Sequence, residues 1–234
     1  MSKRRIVVTG ANRGIGLELV RSFVGLGHSV YGTARNPDAS EDLKAAGASG
    51  ILPLDVSDPE SITTFGTELA ETTDAIDLLV NNAGVGSVSF GAEGAAVGID
   101  VVDPAVITQV FEVNSLGPLL VTRALMPLLQ AGSDAIVCNI SSQLGSMVVG
   151  AGIGDVPYNV SKAALNMITV KYANAHPEIT FVAVHPGWVQ TDMGGADASL
   201  TPPESASAIA ETLMGLTQED SGRFLNWNGT EHPW

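Results

Sequence analysis

The chain has 234 residues, of which 45% are hydrophobic and only 15% charged, a composition that excludes a disordered or fibrous protein. A chain of this length can bury one sizeable core, so we expect a single domain over residues 1–234. Acidic residues outnumber basic ones 25 to 11, and the formal charge of −14 argues against nucleic acid and anionic lipid as partners.

The cysteine count and the amino-terminal residues indicate the cellular compartment in which the protein is expected. The single cysteine, Cys138, excludes an internal disulfide, and the apolar run after the basic first residues is too short for a signal peptide. No stretch approaches the ~20 apolar residues of a membrane span. We therefore expect a cytoplasmic protein with no membrane partner. The histidines lack metal-ligand spacing, so we expect no metal site.

Short β-branched runs alternate with segments of helical spacing. The first helix is indicated by Ile15, Leu19, Phe23 and Leu26, which share one face and precede a closing Gly27. A later helix begins after a capping Asp58, followed by proline at the first helical position. Runs predicted as strands lie near residues 5–9, 28–33, 50–56, 76–80, 135–140 and 180–185.

These strands are too continuously apolar to have one face in water. The pattern therefore predicts an α/β fold with a doubly wound, Rossmann-type parallel sheet of about seven strands and helices on both faces. Three glycine-rich connections follow strands, at 84–104, 143–157 and 186–203. Because the carboxyl ends of parallel strands line the ligand crevice, we expect these loops to build the substrate pocket.

The segment TGANRGIG, residues 9–16, connects the first predicted strand to the first helix. Gly10 permits the tight turn, Gly14 lets the backbone approach a pyrophosphate, and Gly16 allows close helix packing. The helix amino terminus also offers free N–H groups to phosphate. In this context we predict a nucleotide site rather than a plain glycine turn.

With its Gly-x-x-x-Gly-x-Gly spacing, the chain resembles the classical short-chain dehydrogenases/reductases. Further motifs of that family follow in the usual order: NNAG at 81–84, Asn114 in FEVNSLGP, NISS at 139–142, the Tyr158/Lys162 pair of YxxxK, and HPGWVQT from residue 185. Within the family, HPGWVQTDMGG and the closing SGRF and GTE segments resemble the subgroup of C-factor-like and sniffer-type carbonyl reductases. The resemblance implies a dinucleotide-dependent oxidoreductase.

The end of the second strand bears on which nicotinamide is bound. NAD enzymes usually place an acid there for the ribose 2′-OH, whereas arginine suits the 2′-phosphate of NADP. Here Ala34 stands in the acid's place, Arg35 follows it, and Arg13 lies in the glycine loop. Two guanidiniums could hold a phosphate dianion, so we expect NADP(H) in preference to NAD(H). The alternative is that both arginines are solvated surface residues.

The resemblance also implies which residues contact the cofactor. Asp55 and Val56 would border the adenine, the 82–84 segment would support the cofactor, and Val189 and Thr191 would contact the nicotinamide end. The full predicted set is Gly10, Asn12, Arg13, Gly14, Ile15, Gly16, Arg35, Asp55, Val56, Asn82, Ala83, Gly84, Tyr158, Lys162, Pro186, Gly187, Val189 and Thr191.

Tyr158 and Lys162 are four residues apart and share one helix face. A tyrosine with its reference pKa of ~10 is a poor acid-base group at neutral pH, but a neighbouring cation lowers that pKa. We therefore predict Tyr158 as the general acid of carbonyl reduction and Lys162 as the group that lowers its pKa. A lone pair of this kind would otherwise be a solvated helix surface.

By resemblance, Lys162 also holds the nicotinamide ribose, Ser142 hydrogen-bonds the substrate oxygen, and Asn114 ties a water relay to Lys162. In an extended strand Ser141 and Ser142 face opposite ways, and the family motif favours Ser142. The interval from Ser142 to Tyr158 looks a few residues longer than is usual in the family, so the shape of the substrate cannot be inferred from relatives.

The leading hypothesis is an NADP(H)-dependent reduction of a ketone or aldehyde, or its reverse. A C-factor-like signalling protein that binds the nucleotide is the alternative. A third hypothesis, an epimerase or dehydratase, is disfavoured because there is no large carboxyl-terminal substrate domain. The resemblance implies a homodimer or homotetramer formed through helices near residues 105–129 and 157–175.

Overall fold

A computed structural model of the protein describes residues 3–152 and 155–234. Seven parallel strands form one sheet with the spatial order β3-β2-β1-β4-β5-β6-β7. The strands are β1 Arg5–Val8, β2 Ser29–Ala34, β3 Gly50–Pro53, β4 Leu78–Asn81, β5 Ile136–Ile140, β6 Thr180–His185 and β7 Arg223–Asn226. The doubly wound parallel sheet predicted from the sequence is confirmed.

Helices alternate with the strands. They are α1 Gly14–Gly25, α2 Glu41–Ala45, α3 Pro59–Thr72, α4 Pro104–Phe111, α5 Gly117–Gln130, α6 Val156–Ala175 and α7 Pro202–Gly215. A π-helical turn, Glu112–Leu116, joins α4 to α5. Short 3-10 turns lie at Pro37–Ala39, Ser87–Phe90, Gly94–Val97, Gln143–Gly145 and Gln218–Asp220.

The sheet separates two apolar cores. Helices α1 and α7 contact each other and cover one face, where Phe23 and Leu213 are buried among strand residues. Helices α3 and α5 cover the other face, where Phe65 and Leu125 are buried. Each such side chain contributes about 1.5–3 kcal/mol when fully buried. Because both faces are covered, residues along the central strands are apolar without alternation.

The predicted helix boundaries are only partly matched. Asp58 caps α3 as predicted, accepting a hydrogen bond from the Glu60 amide at 2.9 Å. The first helix ends at Gly25, slightly earlier than its apolar pattern suggests, and Leu26 is 53% exposed rather than on the buried face. The seventh strand, β7, is not among the predicted runs because polar Arg223 and Asn226 enclose only two apolar residues.

The sheet reverses its winding between β1 and β4. The chain proceeds outward from β1 through β2 to β3, and then returns to place β4 on the other side of β1. Adjacent carboxyl ends at such a reversal open a crevice for ligands. The glycine loop follows β1 and the NNAG segment follows β4, so both predicted nucleotide motifs meet at this crevice.

The helical stretch Pro104–Gln130 is 27 residues long and apolar enough, by length and composition alone, to cross a membrane. The expectation that no stretch approaches such a span is therefore corrected. In this structure the stretch packs inside the protein, with Val110, Val121 and Leu125 fully buried. Core helices of soluble proteins commonly have this composition.

Candidate active site

Close backbone approach defines the glycine loop. Gly10 has φ +62, and a Cβ atom there would lie 2.9 Å from the Cα of Ala83. A Cβ atom on Gly16 would lie 2.4 Å from the Gly10 carbonyl oxygen and 2.5 Å from Nδ2 of Asn82. Only glycine fits at either position without moving neighbouring groups.

Hydrogen bonds fix the glycine loop against the segment after β4. The Asn82 side-chain amide donates to the carbonyl oxygens of Thr9 and Gly10, at 3.0 and 3.1 Å. In return, the Thr9 hydroxyl accepts from the backbone amides of Asn82 and Ala83. The buried Thr9 was not singled out in the sequence, although its place at the end of β1 is a usable signal.

The amino terminus of α1 suits an anionic ligand. Arg13 occupies the N-cap position, and its side chain makes no capping hydrogen bond to the helix. Across the crevice, a Cβ atom on Gly14 would lie 3.5 Å from Cγ2 of Thr191. The first turn of α1 thus offers amide groups to a phosphate in a cleft bounded by the loop after β6. These residues fit the pyrophosphate of a dinucleotide.

The two arginines predicted to select NADP differ in their contacts. Arg13 forms an ion pair with Asp192, and both side chains are exposed. Arg35 is exposed at the end of β2. Burial raises the pKa of Asp55, but hydrogen bonds from Ser57 and the charge of Arg35 bring it below its ordinary value. Both guanidiniums therefore lie at the rim of the cleft, near carboxylates that could compete with a phosphate.

Other predicted cofactor residues also lie around the crevice. Asp55 and Val56 follow β3, and the Val56 carbonyl would be 2.8 Å from a Cβ atom on Gly117. Gly187 has φ +85, and Val189 is buried and paired with Leu200. The remaining members occupy the same loops: Asn12 and Ile15 at the start of α1, and Pro186 directly after β6.

Tyr158 lies in the first turn of α6 and Lys162 in the next turn. The Lys162 ammonium is 5.6 Å from the centre of the Tyr158 ring and donates to the Ile140 carbonyl oxygen at 2.7 Å. Lys162 is buried and Tyr158 half-buried. A Cβ atom on Gly145 would lie 2.7 Å from the Lys162 carbonyl carbon, so the turn after β5 packs directly on this part of α6.

The electrostatics of the pair differ from the sequence expectation. Burial raises the pKa of Tyr158 to about 12; Ser142 lowers this pKa and the charge of Asp155 raises it. Burial also lowers the pKa of Lys162 to about 8. The net shift at Tyr158 is thus opposite to the predicted lowering by Lys162, because the desolvation of the phenol dominates in the protein alone. At neutral pH the phenol is protonated and can donate its proton.

The two serines at the end of β5 point to different partners. The Ser142 hydroxyl interacts with Tyr158 and accepts from the Leu144 amide at 3.1 Å. The buried Ser141 hydroxyl instead donates to Oδ1 of Asn166 at 2.6 Å. The structure therefore brings Ser142, and not Ser141, to the phenol.

Asn114 lies in the π-helical turn and is fully buried. Its Oδ1 accepts from the Val85 amide at 2.9 Å, and its Nδ2 donates to the Val85 carbonyl at 2.8 Å and to Oγ of Ser161 at 3.1 Å. A Cβ atom on Gly84 would lie 3.3 Å from Asn114 Oδ1 and 3.7 Å from Lys162 Nζ. Asn114, Gly84 and Lys162 therefore surround one small space.

Sequence reasoning missed Asp155 and Ser87. Asp155 is the N-cap of α6, accepting from the Tyr158 amide at 2.6 Å and from the Ser87 hydroxyl at 2.9 Å. An aspartate followed two residues later by proline, in DVPY, is a readable helix-start signal. No comparable signal marks Ser87, which begins a short 3-10 turn in the long connection after β4.

A cavity of about 510 Å³ lies between two of the predicted substrate loops. Residues from 94–99 and 144–152 face the start of α6, and among the described residues no charged side chain lines it. Several lining side chains are apolar: Val97, Ile99, Leu144, Met147, Val156 and Val160. Tyr158 is not among them: the α6 residues that line the cavity, Val156, Asn159, Val160 and Ala163, lie on a different face of the helix from Tyr158 and Lys162.

Comparisons with known proteins agree with this geometry. The sequence profile of a family described as short chain dehydrogenase matches residues 4–199. C-signal of Myxococcus xanthus is 42% identical over 164 residues, which cover 69% of this chain and 95% of that relative. Among solved structures, an NADPH-bound carbonyl reductase from chicken fatty liver has a TM-score of 0.90 at 34% identity, covering 100% of both chains. Carbonyl reductase Sniffer of D. melanogaster has a TM-score of 0.90 at 30% identity, again covering 100% of both.

Proposed function

Because the chain belongs to the short-chain dehydrogenase/reductase family, in its C-factor and sniffer-like subgroup, we propose that it reduces a ketone or aldehyde with NADPH, or runs the reverse reaction. One observation carries this proposal. A protonated phenol, Tyr158, lies beside Ser142 and above a buried ammonium, Lys162, within a site linked to the glycine loop through the NNAG segment.

In this proposal a reduced nicotinamide, when bound, supplies the hydride, and side chains of the protein supply the proton. Tyr158 donates its phenolic proton to the carbonyl oxygen, where negative charge develops during reduction. Ser142 donates a hydrogen bond to the same oxygen. Lys162, held by the Ile140 carbonyl, places its positive charge near the phenolate that remains.

Asn114 and the glycine loop would act by positioning. Asn114 fixes the Val85 backbone and lies against the space shared by Gly84 and Lys162, where a water relay to Lys162 could end. The glycine loop and the first turn of α1 would hold the pyrophosphate, and Lys162 the nicotinamide ribose.

The preference for NADP(H) rests on charge at the end of β2. Ala34 provides no carboxylate for a ribose 2′-OH, and Arg35 and Arg13 stand at the rim of the cleft. The carbonyl reductase from chicken fatty liver, which is similar to this chain over its whole length, binds NADPH and lends further support. A 2′-phosphate would have to replace Asp192 as a partner of Arg13.

The substrate in this proposal is an uncharged, largely apolar carbonyl compound. Residues 94–99 and 144–152, in the loops predicted to build the substrate pocket, carry no charged side chain. A charged substrate would lose hydration there without gaining an ionic partner.

The test is a panel of aldehydes and ketones, apolar and charged, assayed for NADPH consumption with wild type and Tyr158→Phe. We expect Tyr158→Phe to lower kcat by about 10²–10⁴-fold, since the proton donor is lost. NADPH binding, followed by fluorescence titration, should change little. Tyr172→Phe provides a matched control, because this half-buried tyrosine of the same helix donates only to the Leu119 carbonyl. Full activity in Tyr158→Phe would refute the mechanism.

The similarity to C-signal favours a second candidate, a signalling or interaction protein that binds the nucleotide. Tight NADPH binding without turnover of any compound in the panel would support it. The complete Asn114, Ser142, Tyr158 and Lys162 set favours the enzyme.

We also propose that two copies pair through α5 and α6. Exposed apolar side chains lie at the end of the π-helical turn before α5 and along α6, namely Leu116, Val160 and Met167. Light scattering combined with size exclusion should give a dimer or tetramer mass, and Val160→Asp combined with Met167→Asp should lower it.

A further inference from the structure

Asp155 connects the substrate side of the site to Tyr158. Its Oδ1 accepts two hydrogen bonds, from the Tyr158 amide at 2.6 Å and from the Ser87 hydroxyl at 2.9 Å. The Asp155 carbonyl also accepts from the Asn159 amide at 3.0 Å. The carboxylate thus anchors the first turn of α6, on which the phenol is carried.

Ser87 connects the Asp155 carboxylate to a second, buried segment of the chain. It is 1% exposed and begins the 3-10 turn Ser87–Phe90, three residues after the NNAG segment. Nearby, Val85 is held at both its amide and its carbonyl by Asn114. The start of α6 is therefore tied to the same backbone segment that Asn114 orders.

We propose that Asp155 is a positioning residue for Tyr158, which fixes the first turn of α6 against Ser87 and places a negative charge in the turn that carries the phenol. This inference rests on the proposed function, in which Tyr158 is the proton donor.

Among the described residues, the elements packed against α6 carry few titratable side chains. Lys162 lies one turn along α6, and Glu112 of the π-helical turn is partly exposed. Neither α4 nor the turn Gln143–Gly145 carries a titratable side chain. His185 lies at the end of β6, and Asp192 beyond it pairs with Arg13. Of these groups, Asp155 is the one whose charge raises the pKa of Tyr158.

The charge of Asp155 raises the pKa of Tyr158 because a carboxylate and a phenolate repel each other. A carboxylate disfavours a nearby phenolate, so it extends the pH range over which Tyr158 remains an acid. Reduction needs the protonated phenol and the reverse oxidation needs the phenolate. Asp155 therefore adds to the larger effect of burial and extends the reductive activity of Tyr158 to higher pH.

The substitution Asp155→Asn separates charge from geometry. Asparagine caps helices as well as aspartate does, so the hydrogen bond to the Tyr158 amide is kept while the charge is removed. Asp155→Ser also removes the charge and keeps a side chain that caps helices, so agreement between the two variants excludes a defect specific to one of them. The matched control is Asp58→Asn, which removes the same charge from the N-cap of α3.

The readout is the ionisation of Tyr158 in the intact protein. The tyrosines are replaced by a fluorinated tyrosine, which has a more acidic phenol and therefore titrates at a pH at which the protein remains folded. Fluorine NMR spectra are then recorded as a function of pH. Tyr158→Phe identifies the Tyr158 resonance among those of Tyr31 and Tyr172. Thermal melting at each pH verifies folding.

We expect Asp155→Asn and Asp155→Ser to move the Tyr158 midpoint to lower pH, while Asp58→Asn leaves it in place. The alkaline limb of the pH profile of NADPH-dependent reduction should move the same way. An unchanged midpoint, or an equal shift in Asp58→Asn, would overturn the role of Asp155. Because NMR needs no turnover, a shifted midpoint in a protein inactive towards every carbonyl would refute the proposed function alone.

Discussion

The nucleotide end and the substrate end of the crevice are built in different ways. At the nucleotide end, backbone lies against backbone, and glycines at 10 and 16 leave no room for a Cβ atom. At the substrate end, the loops present exposed apolar side chains, with Ile99 at 75% and Met147 at 74% exposure. The first region is fixed by contacts within the protein, and the second has surface available for a ligand.

This difference indicates how one fold can retain its cofactor site while the specificity for the substrate changes. Substitutions at the nucleotide end must disturb several groups at once, because Asn82 bonds to Thr9 and Gly10 while Gly16 packs on both segments. Substitutions at the substrate end change local surface and leave the core intact. Three variants test this difference between the two ends of the crevice.

The largest effect is expected for Gly16→Ala. The added methyl group would meet the Gly10 carbonyl and the Asn82 amide, so we expect a loss of about 1–3 kcal/mol in the free energy of unfolding and strongly impaired NADPH binding. Gly25→Ala, in the same helix with no atom within 4 Å of the new methyl group, should instead stabilise by about 0.5–1 kcal/mol. Urea unfolding and cofactor titration measure both, and equal stability of the two variants would contradict the close-packing argument.

An intermediate effect is expected for Arg35→Ala. If its guanidinium holds the 2′-phosphate, NADPH affinity should fall by the worth of a charged hydrogen bond, about 1.5–3 kcal/mol, with NADH affinity unchanged. Arg21→Ala removes an arginine that pairs with Glu18 on α1 and should alter neither. Competitive titration with both nucleotides measures the ratio, and parallel losses for NADPH and NADH would exclude a phosphate role.

The smallest effect is expected for Met147→Ala. Its side chain is largely exposed, so the free energy of unfolding should change by less than about 0.5 kcal/mol. KM for an apolar carbonyl compound should rise a few-fold, since each buried CH₂ is worth about 0.8 kcal/mol. Leu26→Ala, at the far end of α1, should leave KM unchanged. A large stability loss in Met147→Ala would show that the loop is a packed part of the fold.

The sequence predicts most of the nucleotide end because glycine and strand order carry the information there. The spacing of Gly10, Gly14 and Gly16 after an apolar strand specifies both a turn and a helix start, and the structure places them so. The roles assigned to these residues in binding NADP(H) remain predictions.

The substrate end is less readable, since its contacts join residues distant in the chain. The choice of Ser142 rests on a motif, whereas its separation from Ser141 by different partners appears only in three dimensions. The Ser87 contact with Asp155 spans 68 positions and leaves no local pattern. The pKa of Tyr158 depends mainly on its burial, and burial cannot be predicted from the i,i+4 spacing to Lys162.

The π-helical turn Glu112–Leu116 has a consequence for insertions and deletions. Helix α4 is fixed through Val106 and Val110, and α5 through Val121 and Leu125 in a separate core. A π-helical turn holds one residue more than an α-helical turn, so removing one residue would let the segment close as an α-helix. Adding one residue would instead rotate one helix relative to the other by about 100° and shift it by about 1.5 Å. One buried stripe would then face solvent. Asn114 and Ser115 in the same turn are buried and hydrogen-bonded, so we expect this segment to be sensitive to insertion as well as to substitution at these two positions.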